Sequence, residues 1–208
     1  VEPDWPVYGL NIAFGWPLPN QLKEPYEDLY QELLTLGPDV YVYPYHQTHV
    51  TVMTLVNFKK YKNPNTEKMR NFEKFVPKII SLISRELPGK FKPFKIDVGW
   101  PVLLKNTVIL PILNQTEDVY RFRKKVSPLL KKLFPREIIE LPDPKFIHST
   151  ILRFIKPPSD VKGFRAKIES MAVKHRIGEA VINELLLTSE TKPYMRDGDV
   201  IHCFKLGD

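Results

Sequence analysis

Two apolar, β-branched runs, residues 49–55 (HVTVMTL) and 148–154 (HSTILRF), lie 99 positions apart and open on the same His-x-Thr pattern. A strand that is apolar on both faces must be covered on both, so a chain that carries it twice is constrained to build two similar lobes around a shared interior. Successive side chains of a strand point to opposite faces, which puts His49 with Thr51 and His148 with Thr150. Each strand then offers an imidazole beside a hydroxyl.

The same offset brings more of the chain into register. Residues 8–14 (YGLNIAF) fall over 107–113 (TVILPIL), and the helical pattern of 21–36 falls over 120–135. Strand, helix and His-bearing strand recur in that order without an insertion. Two copies are too few for a solenoid, so the expectation is one compact unit spanning residues 1–208, with its lobes related by a pseudo-twofold axis.

Apolar periodicity and turn residues fill in the remaining elements. After a Pro-rich lead come strand 8–14, helix 21–36 closed by Gly37-Pro38, and the His49 strand over 46–58. A loop (59–66) leads to helix 67–86, in which Pro77 predicts a kink. Strands 94–99 and 107–113 are expected to pair through a loop holding Trp100. Helix 117–134 takes Thr116 as its N-cap but conflicts with Pro128. The His148 strand over 145–154, helix 160–175 and strands 179–189 and 200–206, with a tip at 196–199, complete an α+β order with antiparallel or mixed sheets and helices on the outer faces.

The net charge of +7 with neutral histidines suits a phosphate-rich partner as well as mere solubility. One cysteine, Cys203, excludes an internal disulfide and a Cys-rich zinc site, and reads as a buried, inert residue. No run reaches the ~20 apolar residues of a membrane-spanning helix. A soluble monomer is expected, with a cytoplasmic or nuclear location favoured. Val1 in place of an initiator Met leaves a leader or further domain open.

A lone strand histidine is structural more often than catalytic, and His46 and His202 read that way. His46, three residues before His49, is expected on the opposite face, and His175 suits a helix C-terminus. Trp16 and Trp100 each sit in a Gly-Trp-Pro turn beside a strand end. They would stack on a base or serve as hydrophobic corner posts, with Tyr43, Tyr45 and Tyr194 as weaker aromatic candidates. Arg153, at odd spacing from His148, is expected to face away from it. The basic segment 121–132 reads as a solvated helix face or a nucleic-acid track.

With both motifs in view, the chain resembles the two-histidine phosphoesterases, of the RNA ligase-like and 2',3'-cyclic phosphodiesterase type, whose mark is a pair of His-x-Thr/Ser strands half a domain apart. The resemblance covers nearly the whole chain in element order. It implies a bilobal fold whose two pseudo-twofold related sheets line a central cleft. It also implies His49 and His148 as acid and base, with Thr51 and Thr150 as donors to phosphate oxygens. Imidazole suits this chemistry because it titrates near neutral pH, which predicts a bell-shaped profile with both limbs there.

The activity implied is metal-independent hydrolysis of a 2',3'-cyclic phosphate or a 2'-5' linkage in RNA or a small nucleotide. No cofactor or metal is called for. Three rivals stand beside it: an RNA end-joining ligase of the same fold, a nucleotide- or RNA-binding module without turnover, and a metallohydrolase using His46, His49 and His148.

Overall fold

A computed structural model describes residues 6–60, 72–114, 117–133 and 146–207. Its architecture is α+β, with every strand pairing antiparallel. The first sheet holds β1 (Gly9–Phe14), β3 (Val50–Val56), β9 (Glu184–Lys192) and β10 (Asp197–Lys205) in the order β10-β9-β1-β3. The second holds β2 (Val40–Val42), β5 (Val102–Leu103), β6 (Thr107–Pro111) and β7 (His148–Phe154) in the order β2-β7-β6-β5. A ribbon of β4 (Phe94–Val98) and β8 (Gly178–Ile182) completes the strands among the described residues.

Among the described residues four helices cover the sheets: α1 (Lys23–Leu34), α2 (Val76–Glu86), α3 (Glu117–Leu133) and α4 (Val161–Lys174). Helices α2 and α3 lie on the first sheet, against β10 and β3, while α1 and α4 lie on the second, against β2 and β5. Each offers an apolar stripe at helical spacing. In α1, Tyr26, Leu29 and Leu33 are fully buried, and each such side chain contributes roughly 1.5–3 kcal/mol by leaving water.

The two prolines in question resolve without breaking a helix. Pro77 sits in the first turn of α2, where its missing N–H is not needed. Helix α3 continues through Pro128, whose ring lies on the solvent face while Val126, Ser127 and Leu130 are buried. Thr116 and Lys145, with most of segment 59–71, lie outside the described residues.

Several strand expectations are corrected. Strand β4 pairs along its length with β8, and residues 97–99 meet 111–113 at the end of β6 through the Val98–Ile112 bridge and two flanking backbone hydrogen bonds, Gly99 N–H to Pro111 and Leu113 N–H to Asp97. The run 179–189 is two strands, broken at Asn183 so that β8 can serve the ribbon and β9 the first sheet. A tight turn at Pro193–Met195 joins β9 to β10, and β10 already begins at Asp197. Residues Tyr45–Gln47 form a 3-10 turn after Pro44, so β3 starts at Val50 and exposed His46 is not on a strand. Cys203 is half-buried rather than sealed, with its thiol donating to Glu184 at 2.9 Å.

The repeat is real but not free of insertions. Thr51 pairs with Ala13 and Thr150 with Ile109, so the first strands of the halves correspond at an offset of 96 residues and the His strands at 99. Both His strands carry a β-bulge one residue after the threonine. Val52 is the extra residue between the Ala13–Thr51 and Ile12–Met53 pairs, and Ile151 between Ile109–Thr150 and Val108–Leu152. A bulge leaves a carbonyl without its ladder partner, and a buried carbonyl must find another. The Val52 carbonyl accepts from buried Arg123 Nε at 2.6 Å, and the Ile151 carbonyl from the Tyr43 N–H at 2.9 Å.

Candidate active site

The two sheets leave a cleft of about 270 Å³, lined by His49, Thr51, His148 and Thr150. Around them stand Asn11, Tyr43, Thr54, Asn57, Arg153, Glu190 and the aromatic rings of Phe58, Phe146 and Tyr194. Bulges explain this lining. An extra residue inverts the alternation of side chains, so Thr51 and Thr54, three apart, share a face, as do Thr150 and Arg153. The expectation that Arg153 faces away from His148 fails for this reason.

His49 lies at the foot of β3 and is 8% exposed. Its Nδ1 is 2.9 Å from the Gln47 carbonyl. A carbonyl only accepts, so Nδ1 carries the proton and Nε2 is the nitrogen left with a free lone pair. Burial pushes the His49 pKa down to about 4, helped by the charges of Arg153 and His148 and opposed by the Gln47 carbonyl. His148 opens β7 and is less buried than His49, with the Phe146 ring 4.8 Å away. Burial lowers its pKa too, and Arg153 adds to the effect.

Arg153 is held in place on two sides. Its Nε donates to the Tyr43 hydroxyl at 3.2 Å, and its guanidinium lies 3.7 Å from the centre of the Tyr194 ring. Planar stacking of this kind fixes an arginine while leaving its Nη donors for a ligand. Tyr43 hands the constraint on, donating to the Tyr194 carbonyl at 3.4 Å. Burial pushes the Tyr43 pKa up to about 12, so it remains a phenol.

Glu190 closes the floor of the cleft. It is 2% exposed, and its Oε2 accepts the Met195 N–H at 2.8 Å. Burial pushes its pKa up to about 7, with that N–H pulling in the other direction. Tyr194 and Met195 are the two described non-glycine residues at positive φ, 65° and 54°. Such a conformation costs of order 1–3 kcal/mol and persists only when its surroundings fix it, as the bond from Met195 to Glu190 does here. Gly9 pairs with Glu190, and a Cβ at Gly9 would collide with Glu190 Oε1.

Trp16 and Trp100 do not line the cleft. Trp16 precedes a cis proline and Trp100 is 43% exposed. Phe58, Phe146 and Tyr194 supply the aromatic surface there instead. His175 caps α4 and meets Glu32 at 2.7 Å, while His202 packs on Phe204. Among the described residues no three His, Cys, Asp or Glu side chains are gathered as a metal would need. None of the described helices is long and apolar enough to cross a membrane.

Sequence reasoning missed Arg153, Glu190, Thr54 and Asn57. A signal for two of them was present, since Thr54 and Arg153 stand at the same 99-residue offset as the histidines and threonines.

No protein-family model and no curated protein matches the chain. Solved structures do. A Thermus thermophilus protein superposes with a TM-score of 0.69 at 18% identity, covering 96% of this chain and 99% of that one. A conserved Agrobacterium tumefaciens protein of unknown function gives 0.65 at 13% identity over 94% and 85% of the two chains. E. coli LigT, in crystals with phosphate, gives 0.56 at 12% identity over 99% and 100%. With LigT and a phosphoesterase among its structural neighbours, and paired His-x-Thr strands lining one cleft, the chain has the two-histidine phosphoesterase fold.

Proposed function

We propose that this protein is a phosphodiesterase that opens 2',3'-cyclic phosphates or cuts 2'-5' linkages in RNA ends or small nucleotides, with His49 and His148 as the acid–base pair. The observation that carries this reading is the gathering of two imidazoles, three threonine hydroxyls and one fixed guanidinium in a single cleft. E. coli LigT has been crystallised with phosphate and with 3'-AMP, which supports the same class of ligand here.

The roles follow from burial. His49 is neutral with a free Nε2, the state a base needs, whereas the less buried His148 is the more readily protonated of the two. His49 takes a proton from water as the water oxygen bonds to phosphorus. The bond from phosphorus to the leaving sugar oxygen breaks, and His148 gives that oxygen its proton. Thr51, Thr150 and Arg153 donate to the non-bridging oxygens, where charge accumulates in the transition state. The bound phosphate raises both imidazole pKa values, because an anion favours the charged ring. The scheme routes no step through a metal.

The test is a hydrolysis screen of 2',3'-cyclic nucleotides, 2'-5' linked oligonucleotides and cyclic-ended RNA, with and without exhaustive chelation. The expected result is a phosphomonoester product that survives chelation, with a 2'-phosphate formed from the cyclic substrates. Turnover of none of them, or unchanged turnover in a His49→Ala/His148→Ala double variant, overturns the proposal.

A further inference from the structure

A second cavity, of about 470 Å³, lies between the turn at 103–106, the segment following β7 and the first turns of α4. Three cations, Lys105, Lys156 and Arg165, line it, all exposed, and no acidic side chain does. None of the three is in an ion pair among the described residues. Between them lie exposed apolar side chains, with Leu104 and Ile155 39% and Val161 56% exposed. Uncompensated cations interleaved with open apolar surface fit a polyanion that also carries flat apolar groups.

A small cavity between the groove and the cleft shares lining residues with both. Phe154 and Ile155 line both the groove and a small cavity beside Tyr41 and Arg196. Tyr43, Arg153 and Tyr194 line that small cavity and the cleft. Midway, the Arg196 guanidinium lies 5.0 Å from the Tyr41 ring centre, and its Nη2 is buried without a hydrogen-bond partner among the described residues. The route follows β7 from His148 to Ile155, roughly 20 Å at the ~3.3 Å rise of a strand, long enough for several nucleotides.

We propose that this groove is a second binding site, which holds the sugar-phosphate chain of a single-stranded RNA whose reacting phosphate occupies the histidine cleft. The proposal rests on the phosphodiesterase reading for the cleft itself. Lys105, Lys156 and Arg165 neutralise backbone phosphates, Arg196 bridges from the cleft, and Leu104, Ile155 and Val161 lie under sugars or bases.

The experiment compares a cyclic-ended mononucleotide, dinucleotide, tetramer and hexamer as substrates of the full chain, with a Lys105→Glu/Lys156→Glu/Arg165→Glu variant alongside. KM is expected to fall with length at nearly constant kcat. The variant should raise KM for the hexamer about tenfold or more, reduce the slope of its logarithm against log salt by about two, and leave the mononucleotide unaffected. A flat length series, or equal losses on mononucleotide and hexamer, overturns the proposal. If no substrate turns over, the phosphodiesterase reading fails, and the groove is still tested by anisotropy with an uncyclised single-stranded hexamer. Tighter binding by the native protein than by the variant supports the groove; equal binding, or preference for polyglutamate of the same charge, overturns it.

Discussion

Val52 and Ile151 occupy matching β-bulges, one directly behind each cleft threonine; the Val52 carbonyl is satisfied by the Arg123 side chain and the Ile151 carbonyl by the Tyr43 N–H, which continues the register of β2 on β7. The bulges do more than bend two strands. By inverting the alternation they bring Thr54 and Arg153 onto the face that already holds a histidine and a threonine. The cleft is therefore symmetric in its histidines and threonines and asymmetric where a threonine on one side answers an arginine on the other.

Replacing Arg123 by Leu should expose how far the first bulge depends on its donor. The Val52 carbonyl would be buried and unpaired, at a cost of about 1–3 kcal/mol. A lower Tm with a native circular dichroism spectrum is expected, together with a larger loss of kcat than of substrate affinity, because Thr51 and His49 sit beside the bulge.

The pH profile of kcat/KM should lie on the acid side of that expected for free imidazole. Both histidines have lowered pKa values in the free protein, His49 to about 4. Activity should fall as pH drops through about 4 and His49 is protonated. It should also fall as pH rises and His148 loses its proton below the usual 6.5. The two apparent values belong to the pair. The profile of kcat should move toward neutrality, since bound phosphate favours the charged rings. An optimum of kcat/KM above pH 7 would contradict the assignment.

His49→Ala and His148→Ala should each reduce kcat by about 10²–10⁴-fold with little change in KM, the loss typical of a general acid or base. Thr51→Ala and Thr150→Ala should weaken kcat and binding together. Arg153→Lys should not restore what Arg153→Met loses, because an ammonium neither stacks on Tyr194 nor presents a planar fork to phosphate. Steady-state kinetics on one cyclic nucleotide separates these outcomes.

Gly9→Ala should destabilise the protein by roughly 1–3 kcal/mol, since the added methyl meets the buried Glu190 carboxyl. Combined with Glu190→Ala, much of that clash should disappear, and a double-mutant cycle measures the coupling.

Glu190→Gln isolates the charge at the same position. With its pKa at about 7 in the fold and about 4.5 when unfolded, the carboxyl stays protonated in the native state while the unfolded chain ionises. Its contribution to stability is therefore complete below pH 4.5 and lost as pH rises through 7, by on the order of 3 kcal/mol. The glutamine keeps an acceptor for Met195 and removes this dependence. The variant should gain on the native protein in denaturant melts as pH is raised from 5 to about 8.

His49, Thr51, His148 and Thr150 were legible in the chain as a repeated pattern, and so were the apolar stripes of the helices, because alternation and helical period are local properties of a sequence. The sheet order, the bulges and the neighbours they bring together were not. Arg153 illustrates the difference: its spacing from His148 predicts the wrong face, and only pairing with β6 makes Ile151 the odd residue that turns it inward. Glu190 and Tyr194 line the same cleft as the histidines although they lie far from them in the chain. Trp16 and Trp100 stand in Gly-Trp-Pro turns beside strand ends, yet the aromatic rings that line the cleft are those of Phe58, Phe146 and Tyr194. The sequence by itself determined which chemical groups are available and that they come in two copies. The tertiary structure decided which face each one occupies, because strand register is fixed by burial summed over the whole sheet rather than by any one strand.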